Sequence, residues 1–150
     1  MIKIVPDTNV IISGMISPKG ATRKIINLAY AKKIILYGSE ETYKEFCRKI
    51  KIKRFDKYLK KQYFSSNKII LDYRSFINMI NPFDILKDKI IVVRDPDDDE
   101  YFKVAIASNS QIIISRDKDL LEIKKYNNIK IVLPEKFLKS WYKLNNGKLF

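Results

Sequence analysis

Apolar residues are grouped along this chain in five short runs, and segments with helical periodicity separate most of the runs. The runs are IKIV (2–5), KIILY (33–37), KIIVV (89–93), QIIIS (111–115) and KIVL (130–133). Apolar and polar residues do not alternate within them, which is typical of strands that are covered on both faces. The pattern therefore predicts a central parallel five-stranded sheet.

Helices are predicted between the runs. Gly20 precedes a helix over 21–33, and Ser39 is placed to cap a second helix over 40–50. In the second helix apolar residues recur at helical spacing: Tyr43, Phe46, Cys47 and Ile50. No convincing strand is found between 48 and 80, and we interpret this region as a helical insert. Strands and helices in this order predict an α/β fold of three layers.

Length and composition limit the kind of protein that this chain forms. A chain of 150 residues suits a single domain over 1–150. No apolar run approaches the roughly 20 residues that a membrane-spanning helix needs. The N-terminus also lacks the pattern of a secretion signal. We therefore expect a cytoplasmic protein without a membrane segment.

The absence of histidine excludes several kinds of active site. With no histidine and one cysteine, Cys47, the chain can assemble neither the usual zinc sites nor a Ser-His or Cys-His nucleophile. Its four glycines do not form either of the common phosphate-binding glycine motifs. Any catalysis is therefore expected to use carboxylates together with a metal ion.

The net charge of +13 favours a polyanionic partner such as a nucleic acid. However, 24 of the 30 basic residues are lysine, and a biased composition would produce the same charge. Basic residues are densest in RKIKIKRFDKYLKK (48–61), where aromatic residues lie between them. Five of them are candidates for contacts with nucleic-acid phosphates: Arg48, Lys51, Lys53, Arg54 and Lys57. The alternative is a solvated helix whose aromatic residues face the core.

Acidic residues follow three of the predicted strands. Asp7 follows the first strand, RDPDDDE (94–100) follows the third and SRDKD (115–119) follows the fourth. In open parallel sheets, ligands bind outside the carboxyl ends of the strands, near the point where the strand order reverses. We therefore expect these acids to converge at one edge of the sheet.

Helical spacing separates the acids of the segment 94–100. Asp95 before Pro96 has the pattern of an N-cap followed by proline at the first helical position. Asp98 instead shares a helical stripe with Tyr101 and Phe102, so it is expected to face the sheet. A favourable interaction with the helix N-terminus is the alternative role for Asp98.

The acids of the segment 115–119 can be separated in the same way. Asp119, with Glu122 three residues later, has the pattern of an N-cap. Asp117 has no evident structural role and comes two residues after Ser115 at the strand end. Asp117 is therefore the candidate for the site.

Three aspartates gathered at one place would repel one another and raise one another's pKa. A divalent cation held by Asp7, Asp98 and Asp117 would relieve this repulsion. Oxygen-only ligands favour Mg²⁺ or Mn²⁺ over zinc. The strand-end acids thus predict a metal site.

Three segments of the chain resemble the PIN-domain family of nucleases, especially its small VapC-like members, which are regarded as toxins of toxin–antitoxin pairs. The segments are DTNVIISGMISPKG (7–20), DPDDDEYFKVAIAS (95–108) and IIISRDKDLLEI (112–123). The resemblance implies a Rossmann-like parallel sheet flanked by helices. It also implies acids that bind Mg²⁺ or Mn²⁺ and hydrolyse phosphodiester bonds in RNA.

The resemblance also assigns residues to the family's site by position. The family's first, third and fourth acids match Asp7, Asp98 and Asp117. Supporting polar positions match Asn9 and Ser115.

The family's second acid is a glutamate on the second main helix, and it best matches Glu45, which precedes Phe46. Helical geometry places Glu45 away from the centre of the apolar face of that helix, so a solvent-exposed role fits equally well. Glu41, one turn earlier, is the alternative second acid.

The resulting interpretation is a metal-dependent endoribonuclease that leaves a 5′-phosphate and a 3′-hydroxyl and acts as the toxin of a toxin–antitoxin system. An antitoxin protein and a homodimer are further partners that the resemblance implies. One alternative is a non-catalytic PIN-like scaffold that binds RNA or protein. Another is a phosphatase with Asp7 as the nucleophile, which DTN (7–9) disfavours because it lacks the second acid two residues on.

Overall fold

The computed structural model describes residues 1–51, 66–82 and 96–145, with side chains for 1–51, 67–82 and 99–145. Within these residues six strands form one sheet in the order β3-β2-β1-β4-β6-β5. Their bounds are β1 Ile2–Pro6, β2 Ile34–Gly38, β3 Ile77–Met79, β4 Ile112–Ile114, β5 Lys125–Tyr126 and β6 Ile129–Val132. All neighbouring strands are parallel except the short edge strand β5, which is antiparallel to β6.

Helices cover both faces of the sheet. The described helices are α1 Thr8–Ile16, α2 Ala21–Tyr30, α3 Glu40–Ile50, α4 Ser66–Phe76, α5 Pro96–Ser108, α6 Lys118–Ile123 and α7 Pro134–Leu144. Ile4 of β1 packs into a core formed with α1, α2, α3, α4 and α7. Its neighbour Val5 packs into a second core formed with α5 and α6. Successive strand residues point to opposite faces, so the two cores confirm the predicted three-layer α/β fold.

The structure corrects the predicted strands at two places. The expectation of no strand between 48 and 80 is wrong, because β3 follows α4 within this region and pairs with β2 from Leu36 to Gly38. β3 (INM) has a polar residue at its centre and lacks the continuous apolar run of the equally short β4, and the added strand β5 has only two residues. The predicted strand over 89–93 and residues 52–65 of the helical insert lie outside the described residues. Within the insert, α4 is helical as predicted.

Among the helices that the structure describes, none is long and apolar enough to cross a membrane.

Gly38 ends β2 where α3, α4 and β3 meet, and we expect substitution by alanine to destabilise the protein. A Cβ atom there would lie 2.8 Å from the Tyr73 hydroxyl, 2.9 Å from Ile77 Cγ2 and 3.0 Å from Thr42 Oγ1. Overpacking of this kind costs about 1–3 kcal/mol. Urea unfolding of Gly38→Ala should show a lower midpoint.

A second substitution checks the steric cause. Tyr73→Phe removes the nearest atom, so the double variant should lose less stability than the sum of the two single changes. Additive losses, or an unchanged midpoint for Gly38→Ala, would contradict the packing argument.

Candidate active site

The candidate site lies at the carboxyl edge of the sheet, where the strand order reverses. From β1 the chain builds outward to β2 and β3 on one side, and to β4 and β6 on the other. Asp7 follows β1, and its N–H donates to the Ile114 carbonyl at the end of the adjacent strand β4 at 2.8 Å. Ligands of open α/β sheets bind at this reversal point. Asp7 and the residues after β4 are therefore brought together, as the sequence predicted.

Asp7 is both a helix cap and a buried acid. One carboxylate oxygen, Oδ1, accepts a hydrogen bond from the Asn9 N–H at 3.1 Å and so caps α1. The other, Oδ2, accepts from the Ser115 hydroxyl at 2.8 Å. The residue is only 4% exposed. Asn9 supports Asp7 through its backbone, and the Asn9 side chain is exposed.

The environment of Asp7 disfavours its negative charge. Burial raises the pKa of the Asp7 carboxyl above its ordinary value, and the nearby Glu45 carboxylate raises it further. The hydrogen bonds from Ser115 and Asn9 and the positive charge of Lys49 act in the opposite direction without overcoming burial. The site therefore holds a carboxylate whose charge is not fully compensated by the protein.

Glu45, and not Glu41, lies beside Asp7. The Glu45 side chain is 13% exposed, and its Oε2 accepts from the Thr8 hydroxyl at 3.2 Å. Its Oε1 is 2.9 Å from the Lys49 ammonium. The Glu41 side chain is 66% exposed and pairs with Lys44 at 3.6 Å on the surface. The sequence left open whether Glu45 faces the site or the solvent. The structure turns Glu45 towards the site and leaves Glu41 on the surface.

The hydroxyl of Tyr101 joins the two acids. It lies 2.9 Å from Glu45 Oε2, 3.2 Å from Asp7 Oδ1 and 3.0 Å from Thr8 Oγ1. The Thr8 N–H donates to it at 3.2 Å. A phenol has a single proton, so it can donate to only one of these three oxygens at a time. Burial, Asp7 and Glu45 together raise the pKa of Tyr101, which keeps the hydroxyl protonated.

Sequence reasoning placed Tyr101 on the face of α5 that turns towards the sheet but gave it no part in the site. The placement is confirmed, because Tyr101, Phe102 and Ala105 are all buried. The overlooked signal is the hydroxyl, since a buried phenol requires a hydrogen-bond partner. Because α5 passes the ends of the strands, the partners that the Tyr101 hydroxyl meets there include Asp7 and Glu45.

The predicted cap of α6 is corrected. Asp117, not Asp119, is its N-cap, and Asp117 Oδ1 accepts from the Asp119 N–H at 2.8 Å. The helix begins one residue after Asp117 because the Ser115 hydroxyl accepts the Asp117 N–H at 2.9 Å and turns the chain there. Asp117 therefore does have a structural role, contrary to the sequence interpretation.

Ser115 also links Asp117 to the buried acid. Its hydroxyl donates to Asp7 and accepts from the Asp117 backbone, so the three residues lie on one hydrogen-bonded path. The Asp117 side chain is exposed at this edge of the sheet. Asp117 thus caps α6 with its side chain, and its backbone is connected to Asp7 through Ser115.

Asp98 belongs to the first turn of α5, which begins at Pro96 as predicted. Its side chain and all of Asp95 lie outside the described residues. Two residues after Asp98, the Glu100 carboxylate accepts from the Ser39 hydroxyl at 2.8 Å. Ser39 caps α3 at the end of β2. The start of α5 is therefore held at the same edge of the sheet as Asp7.

The described side chains contain no group of three or more histidine, cysteine, aspartate or glutamate residues that could hold a metal ion. The predicted triad of Asp7, Asp98 and Asp117 includes a side chain beyond that description, so it stays a prediction. The described part of the site is a pair of acids, Asp7 and Glu45, joined by a phenol.

The predicted nucleic-acid contacts are only partly described. Arg48 is exposed on the last turn of α3, and Lys51 is exposed directly after that helix. Lys53, Arg54 and Lys57 lie outside the described residues.

Comparison with known proteins assigns the chain to a family. A family model for the PIN domain matches residues 3–119. An uncharacterized protein from Methanocaldococcus jannaschii is 36% identical over 150 residues, which is 95% of this chain and 93% of the relative. The crystal structure of VapBC2 from Rickettsia felis, bound to a DNA fragment from their promoter, is similar in fold. It has a TM-score of 0.58 at 12% identity and covers 88% of this chain and 98% of that chain. The chain belongs to the PIN-domain family, as its sequence predicted.

Proposed function

We propose that this chain is a metal-dependent endoribonuclease that hydrolyses phosphodiester bonds in RNA. The observation that carries the proposal is Asp7, a buried carboxylate with a raised pKa at the reversal point of the sheet, beside Glu45. Membership of the PIN-domain family supports nuclease activity. The requirement for a metal and the choice of RNA go beyond that membership.

The chemistry of the acids fits a divalent cation. Burial and Glu45 both make the charge of Asp7 unfavourable, and a cation beside it would remove this penalty. All candidate ligands are carboxylate oxygens, which suit Mg²⁺ or Mn²⁺. In this proposal Asp7, Asp98 and Asp117 hold the cation, and Glu45 assists. A bound cation would supply a Lewis acid that activates water and stabilises charge on the phosphate.

The chain's own residues have separate tasks in this mechanism. Ser115 and the Asn9 N–H hold the two oxygens of Asp7 in place, so the carboxylate does not have to reorganise. Tyr101 and Thr8 hold Glu45. Because the chain lacks histidine, no imidazole base takes part in the reaction. Arg48, Lys51, Lys53, Arg54 and Lys57 are proposed to contact the RNA backbone, in line with the net charge of +13.

A toxin role is the finer part of the proposal. The VapC-like resemblance of the sequence implies an antitoxin protein that covers the site, and a homodimer. Likeness in fold to VapBC2 from Rickettsia felis is in keeping with this role. The expected setting is the cytoplasm.

A second candidate is a PIN-like scaffold that binds RNA or protein without cutting. Glu45 favours this candidate, because both of its oxygens are already occupied by Lys49, Thr8 and Tyr101. A scaffold would bind RNA in the same way with or without a cation. The two candidates therefore differ in RNA cleavage, which only the enzyme performs and which chelation would stop, and not in RNA binding.

Purified protein should cleave mixed RNAs when Mg²⁺ or Mn²⁺ is present and should stop when EDTA is added. Excess metal should restore cleavage, and RNA binding in a gel-shift assay should persist in EDTA. The products should carry 5′-phosphate and 3′-hydroxyl ends, which a phosphatase followed by a kinase can identify. RNA binding without cleavage under every condition would favour the scaffold, and cleavage that resists EDTA would exclude the metal mechanism.

A further inference from the structure

Lys49 contacts the candidate site, although neither the sequence motifs nor the family match gives Lys49 a role there. Its ammonium lies 2.9 Å from Glu45 Oε1, four residues earlier on α3. Its positive charge also acts on Asp7. The Lys49 side chain is 25% exposed, so it is partly open to solvent. Lys49 is therefore a cation that already pairs with one acid of the site and acts on the other.

The two oxygens of Glu45 are held by groups that differ in burial. Oε2 is held by Thr8 and Tyr101, which are 3% and 1% exposed and cannot move without disturbing the core. Oε1 is held only by the long side chain of Lys49 among the contacts that the structure gives it. A lysine side chain can rotate into solvent and keep its hydration there. Oε1 is therefore the oxygen of Glu45 that a divalent cation can reach.

We propose that Lys49 is a positioning residue: it neutralises Glu45 while the site holds no divalent cation, and it releases Oε1 when such a cation binds. This inference rests on the proposed function, because it requires a cation beside Asp7 and Glu45. Two positive charges cannot share Oε1 without repulsion. The ammonium therefore competes with the divalent ion for the same oxygen.

Removal of Lys49 should tighten metal binding. In Lys49→Met, titration with Mn²⁺ by calorimetry without RNA should give an apparent Kd about three- to tenfold lower than that of the wild type, as expected for loss of one ion-pair competitor. Lys49→Arg keeps the charge and should stay near the wild-type value. Lys44→Met is the matched control, since it removes the same charge from an exposed pair on the same helix. Its Kd should not change.

A second measurement follows the amine itself. Acetylation of Lys49 by acetic anhydride, quantified by peptide mass spectrometry, should become several-fold faster when Mg²⁺ is added. Lys44 is the internal standard, and its rate should not change. These rates report release of the amine even if Lys49→Met alters the stability of the fold.

The outcomes distinguish the proposed role of Lys49 from the proposed metal-dependent function on which it rests. Mn²⁺ binding that is lost in Asp7→Asn but unchanged or weaker in Lys49→Met would overturn the role of Lys49 and leave the metal site standing. An acetylation rate of Lys49 that Mg²⁺ does not alter would do the same. Absence of Mn²⁺ binding to the wild type, or equal binding by Asp7→Asn, would overturn the proposed function and this inference with it.

Discussion

Replacing Asp7 with asparagine is expected to lower RNA cleavage by roughly 10³-fold. The physical reason is the loss of one negative charge from the place where the cation is proposed to bind. Loss of several kcal/mol of transition-state stabilisation corresponds to this factor, at about 1.4 kcal/mol per tenfold change. The measurement is single-turnover cleavage of a defined RNA with saturating Mg²⁺.

The same substitution should leave the fold intact, which distinguishes a catalytic from a structural effect. Asparagine can still accept the Asn9 N–H with its amide oxygen as a helix cap, and its amide nitrogen can donate to the Ser115 hydroxyl, so this hydrogen bond is kept with its direction reversed. The pKa of Asp7 is raised by burial, so the folded state binds a proton more tightly than the unfolded state does. Ionisation of Asp7 therefore opposes folding.

Because ionisation of Asp7 opposes folding, the stability of the protein depends on pH. The contribution of Asp7 to stability is fully present below the ordinary aspartate pKa of 3.8 and is lost as the pH rises through the raised folded-state pKa. In EDTA above that range, Asp7→Asn should be as stable as the wild type or more stable. Urea unfolding at several pH values checks this. A variant that is both inactive and strongly destabilised would show that Asp7 serves the fold and not the reaction.

Glu45→Gln is expected to lower cleavage by about 10²-fold, whereas Glu41→Gln should have no effect. Glutamine keeps the acceptor that Thr8 and Tyr101 contact but loses the charge that assists the cation. Glu41 is on the same helix, is exposed and pairs with Lys44 on the surface, so it is a matched control. Rates of both variants should be measured under the conditions used for Asp7→Asn.

Thermal unfolding of both variants should be measured alongside these rates, because Glu45→Gln also removes the ion pair with Lys49. A loss of activity in Glu45→Gln at an unchanged melting temperature would support the assignment of the second acid. Equal activities of the two variants would contradict it, and a loss confined to Glu41→Gln would reverse the assignment.

The main strands were predictable because each contains several apolar residues that are buried on both sides. Ile4 and Val5 illustrate this, since neighbouring positions of one strand enter different cores. β3 was not predictable, because its three residues pair with β2 only after α4 has turned the chain back. Its formation depends on tertiary contacts and not on a local pattern.

The cap of α6 shows a different limit. Asp117 and Asp119 both have side chains suited to an N-cap, and local preference does not choose between them. The choice is made by Ser115, whose hydroxyl binds the Asp117 N–H while it also donates to Asp7. One contact across the sheet therefore decides where a local element begins.

The sequence by itself determined the layered α/β architecture and the location of Asp7 at the end of a central strand, because apolar runs and strand ends are local features. Only the tertiary structure decided that Glu45 and not Glu41 lies beside Asp7, and that Tyr101 joins them. Helical periodicity tells which face of a helix a residue occupies, but not which other helix that face will meet. Tyr101 is 56 residues from Glu45 and 94 from Asp7 along the chain, so their contact exists only once α3 and α5 have packed beside β1.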